Sequence, residues 1–400
     1  MKEPKIRFKG FKGEWEDPTI ANTFAIRNGY TPSKAIKAFW DGGTIPWFRM
    51  EDIRENGGIL KDAIQHITPL GVKGDGLFET NSIILATTAT IGVHAMLIAD
   101  SLANQQFTNF SIRKSLKDNY NPMFVYYSFF GIDEWCKKNT NSGGLLAVNI
   151  PYLLKQSFHT PILPEQQSIA SYFQHLDSLI QSTTKKIESL KQVKTASLQS
   201  MFPQEGETTP RVRFKGFEGE WEKVSFGQFG SVAMCKRIFK DQTMDKGEVP
   251  FYKIGTFAME PDAYISKELF IEYKSKFSFP QKGDILISAA GTIGRTIQYN
   301  GEDAYFQDSN IVWLKHGNEI DNTFLMYIYS LVKWNGLEGA TIKRLYNNII
   351  LETEFLLPPV EEQRAIASFF TILDRQITLQ TQRLEKLKQI KAACLDKMFV

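Results

Sequence analysis

The stretch Pro4-Lys-Ile-Arg-Phe-Lys-Gly-Phe-Lys-Gly-Glu-Trp-Glu16 returns as Pro210-Arg-Val-Arg-Phe-Lys-Gly-Phe-Glu-Gly-Glu-Trp-Glu222, with ten of thirteen positions identical at an offset of 206. An echo of that quality makes the chain an internal repeat, which constrains the architecture before any single element is assigned. Farther along, Ile45-Pro46-Trp47-Phe48-Arg49 answers Val249-Pro250-Phe251-Tyr252-Lys253, and Ser82 to Gly92 answers Asp284 to Gly294. Asn104-Gln105-Gln106 falls opposite Phe306-Gln307-Asp308. From Glu165 to Phe202 set against Glu362 to Phe399, 19 of 38 positions are identical. The offset shrinks to 197, so the copies differ by small insertions while keeping their order. Opening segment and closing helix are nearly duplicated, whereas the residues between them have diverged apart from these landmarks. Two copies of one scaffold therefore carry two different working surfaces.

Each copy reads as a mixed domain followed by a long helix. Gly10, Gly13 and Trp15 suggest turns and a short strand end. Ile83-Ile84-Leu85 and Ile285-Leu286-Ile287 are β-branched runs that end near Gly92 and Gly294, a strand followed by a loop. The loop Ala89-Thr90-Ile91-Gly92 lacks the glycine of Gly291-Thr292-Ile293-Gly294, so its backbone is expected to differ. Asn121 and Asp321 stand where helix N-caps belong. Beyond the prolines 161, 164, 358 and 359, Ile169, Phe173, Leu176, Ile180, Ile187 and Leu190 recur at alternating steps of 4 and 3, with Thr183 in the gap. Ile366, Phe370, Leu373, Ile377, Leu384 and Leu387 repeat the pattern, with Gln380 in the gap. A 3.5-residue seam predicts two coiled-coil helices that pair with each other. The expected fold is α+β: two similar mixed domains separated by a pair of long antiparallel helices, related by a pseudo-two-fold. The expected divisions are 1–160, 161–203, 204–357 and 358–400.

Composition narrows the setting. The chain has 400 residues, 42% hydrophobic and 23% charged, with 30 phenylalanines, which is ample for real cores. A net charge of +3 neither demands nor forbids an anionic partner. The three cysteines lack CxxC spacing and the five histidines are dispersed, so neither a disulfide frame nor a metal cluster is expected. A reducing cytoplasm fits best. The opening residues have no signal-peptide core. Thr80 to Ala99 lacks Asp, Glu, Lys and Arg, but its polar residues and the charges in its repeat counterpart argue against a membrane span.

The paired RFKGFxGEW segments, the two ATIG and GTIG loops and the EQxxIAxxFxxLD helix starts together resemble the specificity subunits of type I restriction-modification enzymes. The resemblance spans the whole chain. It implies two variable target-recognition domains, each reading one half of a split asymmetric site in double-stranded DNA, with the helices as spacer. It further implies two modification (methyltransferase) subunits docked on the helical regions, with restriction/translocase subunits joining them. S-adenosylmethionine, ATP and magnesium would be bound by those partners, leaving this chain without cofactor, metal or catalytic residues.

Base reading needs groups that match groove edges, with Arg or Lys suited to guanine and Asn or Gln to adenine. The candidates are Lys34, Arg49, Gln105 and Gln106 in the first copy, and Lys236, Arg237, Arg295, Gln307 and Asn310 in the second. Lys137, Lys138 and Asn141, with Lys343, Arg344 and Asn347, are placed to hold phosphates. Because glutamine recurs at 105 and 307 in otherwise divergent domains, both also read as residues serving the fold.

Two stretches resemble enzyme motifs. Asn121-Pro-Met-Phe124 resembles the adenine-holding motif of amino-methyltransferases but lacks a second proline, and a helix start explains it. Pro261-Asp262 with Glu272-Tyr-Lys274 has the form of a metal-dependent nuclease site, yet the first copy has no equivalent. No GxxxxGK(S/T) loop occurs. The alternative to a DNA-recognition subunit is a free-standing site-specific nuclease or methyltransferase. A coiled-coil scaffold that binds no DNA is weaker still.

Overall fold

The computed structural model describes residues 3–140, 146–334 and 344–400. They form two compact units, Met1–Lys185 with Gln382–Val400, and Lys186–Thr381. Each unit thus contains part of both long helices.

In the first unit the chain runs α1 (Ile20–Thr23), β1 (Phe24–Asn28), β2 (Ile45–Phe48), α2 (Met50–Asn56), β3 (Ile59–Leu60), β4 (His66–Ile67), β5 (Ser82–Ala86), β6 (His94–Leu97), β7 (Leu102–Ala103) and β8 (Phe107–Ile112). Then come α3 (Pro122–Lys138), α4 (Ile150–Leu153) and the start of α5 (Leu163–Met201). The main sheet has the order β1-β8-β5-β6-β3, and a small sheet has the order β4-β2-β7. Every residue of β5 and β6 is buried, so the apolar runs of the uncharged stretch from Thr80 are sheet core, joined by an exposed turn at Ala89 and Thr90. No described helix is long and apolar enough to cross a membrane.

The second unit repeats the plan with β9 (Glu222–Ser225), β10 (Gly230–Met234), β11 (Val249–Tyr252), β12 (Tyr264–Ile265), α6 (Lys267–Lys276), β13 (Ile285–Ser288), β14 (Thr296–Gln298), β15 (Tyr305–Phe306) and β16 (Ile311–His316). α7 (Asn322–Leu331), α8 (Asn347–Glu352), β17 (Glu354–Leu357) and α9 (Val360–Lys397) follow. Its main sheet has the order β10-β16-β13-β14, beside β12-β11-β15 and β17-β9.

The N-caps are as the sequence reads. Asn121 Oδ1 accepts from the Phe124 amide at 3.0 Å, and Asp321 Oδ1 from the Phe324 amide at 2.9 Å. The methyltransferase-like Asn-Pro-Met-Phe is therefore a helix start.

Within the first unit, α5 and the end of α9 run antiparallel: the Tyr172 hydroxyl meets Cys394 Sγ at 3.4 Å, and Lys391 Nζ donates to Asp177 Oδ1 at 2.5 Å. Within the second unit the end of α5 packs on α9 in the same sense, with Lys194 Nζ donating to Asp374 Oδ1 at 2.5 Å and Phe202 against Phe370. Ile169, Phe173, Leu176, Ile187, Ile366 and Phe370 are buried, and so is Thr183. Ile180, Leu190, Leu373, Ile377, Leu384 and Leu387 are half-buried.

The duplicated motif residues turn out to be latches. Arg7 forks onto Glu165, Nε to Oε1 at 2.7 Å and Nη2 to Oε2 at 2.8 Å, while Nη1 donates to the Gly13 carbonyl at 2.5 Å. Arg213 does the same to Glu362 at 2.6 and 2.7 Å and to Gly219 at 2.5 Å. Both glycines turn the chain back over the guanidinium with φ of +86° and +83°. The next residue is a second latch. Gln166 Nε2 donates to the carbonyls of Asn119 and Pro161, and its Oε1 accepts from the Asn121 amide. Gln363 repeats this with Glu319, Pro358 and the Asp321 amide. A third latch joins three helices: Tyr127 donates to Asp177 at 2.8 Å beside Lys391, and Tyr327 to Asp374 at 2.8 Å beside Lys194. Burial, and then the hydrogen bond to the carboxylate, raises both phenols above their ordinary range.

One expectation fails. The loop after β5 does not differ in backbone from its counterpart, because Ala89 adopts φ +61° where Gly291 has +64°, and Gly92 and Gly294 have +71° and +83°. The alanine accepts the left-handed conformation at a cost of roughly 1–2 kcal/mol, since the strands on either side hold the turn in place.

Candidate nucleic-acid interface

Strand registers give the residue correspondence that sequence alignment missed. In the first unit Phe48 lies opposite Ala103 and its carbonyl accepts from the Asn104 amide at 3.0 Å. In the second, Tyr252 lies opposite Phe306 and its carbonyl accepts from the Gln307 amide at 2.9 Å. Asn104 therefore corresponds to Gln307, and Gln105 to Asp308. The two glutamines are not equivalent, and the expectation that they form one recurring landmark is wrong. Gln307 serves the fold, its Oε1 accepting from the Ile254 amide at 2.8 Å. Gln105 is exposed and its Oε1 accepts from Thr31 Oγ1 at 2.5 Å. Gln106 is half-buried, and its carbonyl accepts from the Thr87 amide as Asn310's does from Ala289.

In the first unit Thr31 and Gln105 adjoin a small aromatic platform. Trp47 Nε1 donates to the Tyr30 carbonyl at 2.9 Å, and Trp40 meets Trp47 edge-on at 5.0 Å. Lys34 Nζ lies 5.9 Å from the Trp40 ring centre, and the Arg49 guanidinium 6.0 Å from that of Trp47. Arg49 also pairs with Glu51 at 3.0 Å. Lys137 and Lys138 are exposed at the end of α3, where Lys137 pairs with Glu134 at 2.7 Å beside Gly92. They form a separate group. Asn141 and Lys343 lie outside the described residues.

In the second unit Arg295, Asn310 and Arg344 gather at the loop after β13. Arg344 Nη2 donates to Asn310 Oδ1 at 2.9 Å, and Arg344 bridges to Ala290. Arg295 Nη1 donates to the Phe257 carbonyl at 3.0 Å, and Arg295 lines a cleft of about 220 Å³ with Ile254, Ser288 and Thr292. Arg237 Nε donates to Asp308 Oδ2 at 2.8 Å. Lys236 is exposed over the Phe277 ring, and its carbonyl accepts from the Tyr305 hydroxyl at 2.9 Å. Asn347 is exposed as the first residue of α8. A larger cleft of about 1100 Å³, lined by Phe202, Trp221, Lys333 and Glu354 among others, shares no residue with this group. Sequence reasoning missed Thr31 and Asp308, which orient their partners across 74 and 71 positions. No local pattern announces such pairs.

The nuclease-like triplet is dispersed among other contacts. Asp262 pairs with Lys253 at 2.8 Å, Glu272 with Lys276 at 3.0 Å, and Lys274 lies over the rings of Phe270 and Phe279. Among the described residues no group of three or more His, Cys, Asp or Glu is placed to hold a metal ion.

Residues 12–192 and 218–389 match the family described as type I restriction modification DNA specificity domain. A putative type I restriction enzyme specificity subunit of Haemophilus influenzae is 54% identical over 157 residues, 39% of this chain and 40% of that protein. The EcoprrI specificity subunit of Escherichia coli is 46% identical over 141 residues, 35% of each chain. The matched part is thus well under half the length of these two relatives. The MjaIX specificity subunit of Methanocaldococcus jannaschii is 24% identical over 439 aligned positions, covering 96% of this chain and 92% of that one. Among solved structures, the S subunit of a type I restriction-modification system from M. genitalium superposes with a TM-score of 0.63 at 15% identity, covering 100% and 99% of the two chains. A chain from a second type I system gives 0.56 at 16% identity, covering 96% and 97%. These two likenesses show the fold.

Proposed function

This chain belongs to the type I restriction modification DNA specificity domain family, and from that premise we propose that it is the non-catalytic subunit that reads a split, asymmetric site in double-stranded DNA. The heads at 1–160 and 204–357 each read one half, and the helical regions 161–203 and 358–400 carry two modification subunits, which restriction subunits join. Methyl donor, ATP and magnesium belong to those partners, and the assembly works in the cytoplasm.

One observation carries the reading. Shared residues such as Arg7, Glu165, Arg213 and Glu362 are consumed by latches within the scaffold, whereas the residues by which the copies differ include exposed Lys34, Gln105, Lys236 and Arg237 around matching loops. That is the division expected when one frame presents two base-reading surfaces. Lys137, Lys138, Arg344 and Asn347 lie at helix ends and loop edges, where phosphate oxygens would fix the register. Arg49, Gln105, Arg237 and Arg295 present the fork or amide geometry that matches purine edges.

The test is the methylated motif in DNA from cells carrying this chain with its modification subunits. A bipartite motif with an unspecified gap is expected. A contiguous motif, or cleavage or methyl transfer by the purified chain alone, would favour the free-standing enzyme.

A further inference from the structure

We infer that the matched pairs Thr31–Gln105 and Arg237–Asp308 set the base read at one equivalent position of the two half-sites, adenine through Gln105 and guanine through Arg237. The inference rests on the DNA-reading proposal and deepens it.

The equivalence comes from hydrogen bonds on both sides of each pair. Asn28 pairs with Thr108 as Met234 pairs with Val312, and Thr108 and Val312 in turn lie opposite Leu85 and Ile287. Counting on from Asn28 and Met234 sets Tyr30 against Lys236 and Thr31 against Arg237. The carbonyls of Tyr30 and Lys236 are both held by a buried aromatic side chain from the small sheet, Trp47 in one case and Tyr305 in the other. On the far side Gln105 matches Asp308, each one residue past the amide that closes the small sheet. The same scaffold position thus holds a neutral hydroxyl–amide pair in one unit and a guanidinium–carboxylate pair in the other. The second unit's loop also carries one extra residue, Ser309, in a left-handed conformation with φ +53°.

What each pair can read follows from its free atoms. Asp308 is 17% exposed and takes Arg237 Nε, which fixes the guanidinium plane. Arg237 itself is 60% exposed, and no described acceptor takes its two terminal nitrogens. Two parallel donors on a fixed plane match guanine O6 and N7, both acceptors, and mismatch adenine, whose N6 is a donor. Thr31 donates to Gln105 Oε1, leaving one lone pair on that oxygen and a free Nε2. One acceptor beside one donor matches adenine N6 and N7. Asp308 and Thr31 are positioning residues; Arg237 and Gln105 would touch the base.

The experiment selects bound duplexes from a randomised pool with the full chain assembled with its modification subunits. Wild type should give a split motif with guanine fixed in one half and adenine at the matched place in the other. Arg237→Ala should flatten the guanine preference roughly ten- to a hundredfold at that one position, with the other half-site unchanged. Gln105→Ala should do the converse. Asp308→Asn should keep guanine but weaken its selection. The double change Arg237→Thr with Asp308→Gln rebuilds the first unit's pair at the matching positions and should shift the preference from guanine towards adenine. An unchanged motif in Arg237→Ala, or uniformly weaker binding without altered preference, would overturn the inference while leaving the DNA-reading proposal intact. A wild-type assembly that selects no split motif would overturn both.

Discussion

Removing Arg7 tests whether the duplicated motif is a structural latch. Glu165 is 1% exposed, and both of its oxygens are held by one guanidinium at 2.7 and 2.8 Å. The fork raises the Arg7 pKa chiefly through its hydrogen bond to Glu165, so the charged pair is the favoured state. Arg7→Ala leaves a buried carboxylate without its counter-charge, a defect that costs about 3–5 kcal/mol. Glu165→Ala leaves Arg7, at 16% exposure, free to turn towards water, so it should cost less. The double variant removes the stranded charge as well as its partner. It should therefore be more stable than the sum of the single effects implies, with a coupling of about 2 kcal/mol. Hydrogen exchange by mass spectrometry, read on peptides covering β1, β8 and α3, measures the first unit directly. Single variants within about 1 kcal/mol of wild type, with additive effects, would mark an ordinary surface pair and refute the latch.

Ala89→Gly should stabilise the first unit by about 0.5 kcal/mol, because relief of the left-handed alanine exceeds the entropy of the added glycine; Gly291→Ala should cost a similar amount, both read by urea unfolding. Burial pushes the Cys136 and Cys235 thiols up to about 12, so at pH 8 a maleimide should label the half-buried Cys394 first, seen by mass spectrometry of the intact chain. The same raised thiol pKa values favour the protonated folded state, so their contribution to stability should be lost as pH rises from about 9, the ordinary value, to about 12. Joining Val400 to Met1 through a short linker and opening the chain near Gly206 should preserve the site read, because the Ile6 amide already donates to the Lys397 carbonyl at 2.9 Å as Val212 does to Ser200. A folded permutant with a changed motif would count against it.

Much of this was legible in the sequence because repetition is itself a physical statement. The opening segment and helix start recur since Arg7 must meet Glu165 and Arg213 must meet Glu362, although the sequence shows only that they recur and not that they touch across 158 and 149 positions. Helix caps at Asn121 and Asp321 were readable because capping is local. The glutamine landmark misled because the second copy carries one extra residue between β14 and β15, which slides the alignment before Gln307 is reached, whereas strand register makes Asn104 the counterpart of Gln307. Ala89 misled because backbone conformation there is imposed by the strands around it, against the residue's own preference. Of the recognition candidates, the sequence supplied residue types; the pairing of Thr31 with Gln105 and of Arg237 with Asp308 needed the fold.

The central claim, that one frame carries two independent readers, is tested most directly by exchanging residues 20–155 for those of another family member and mapping the methylated motif of the assembled enzyme. One half-site should change to that of the donor, and the other should keep its sequence. A motif altered in both halves, or unaltered in either, would contradict the account.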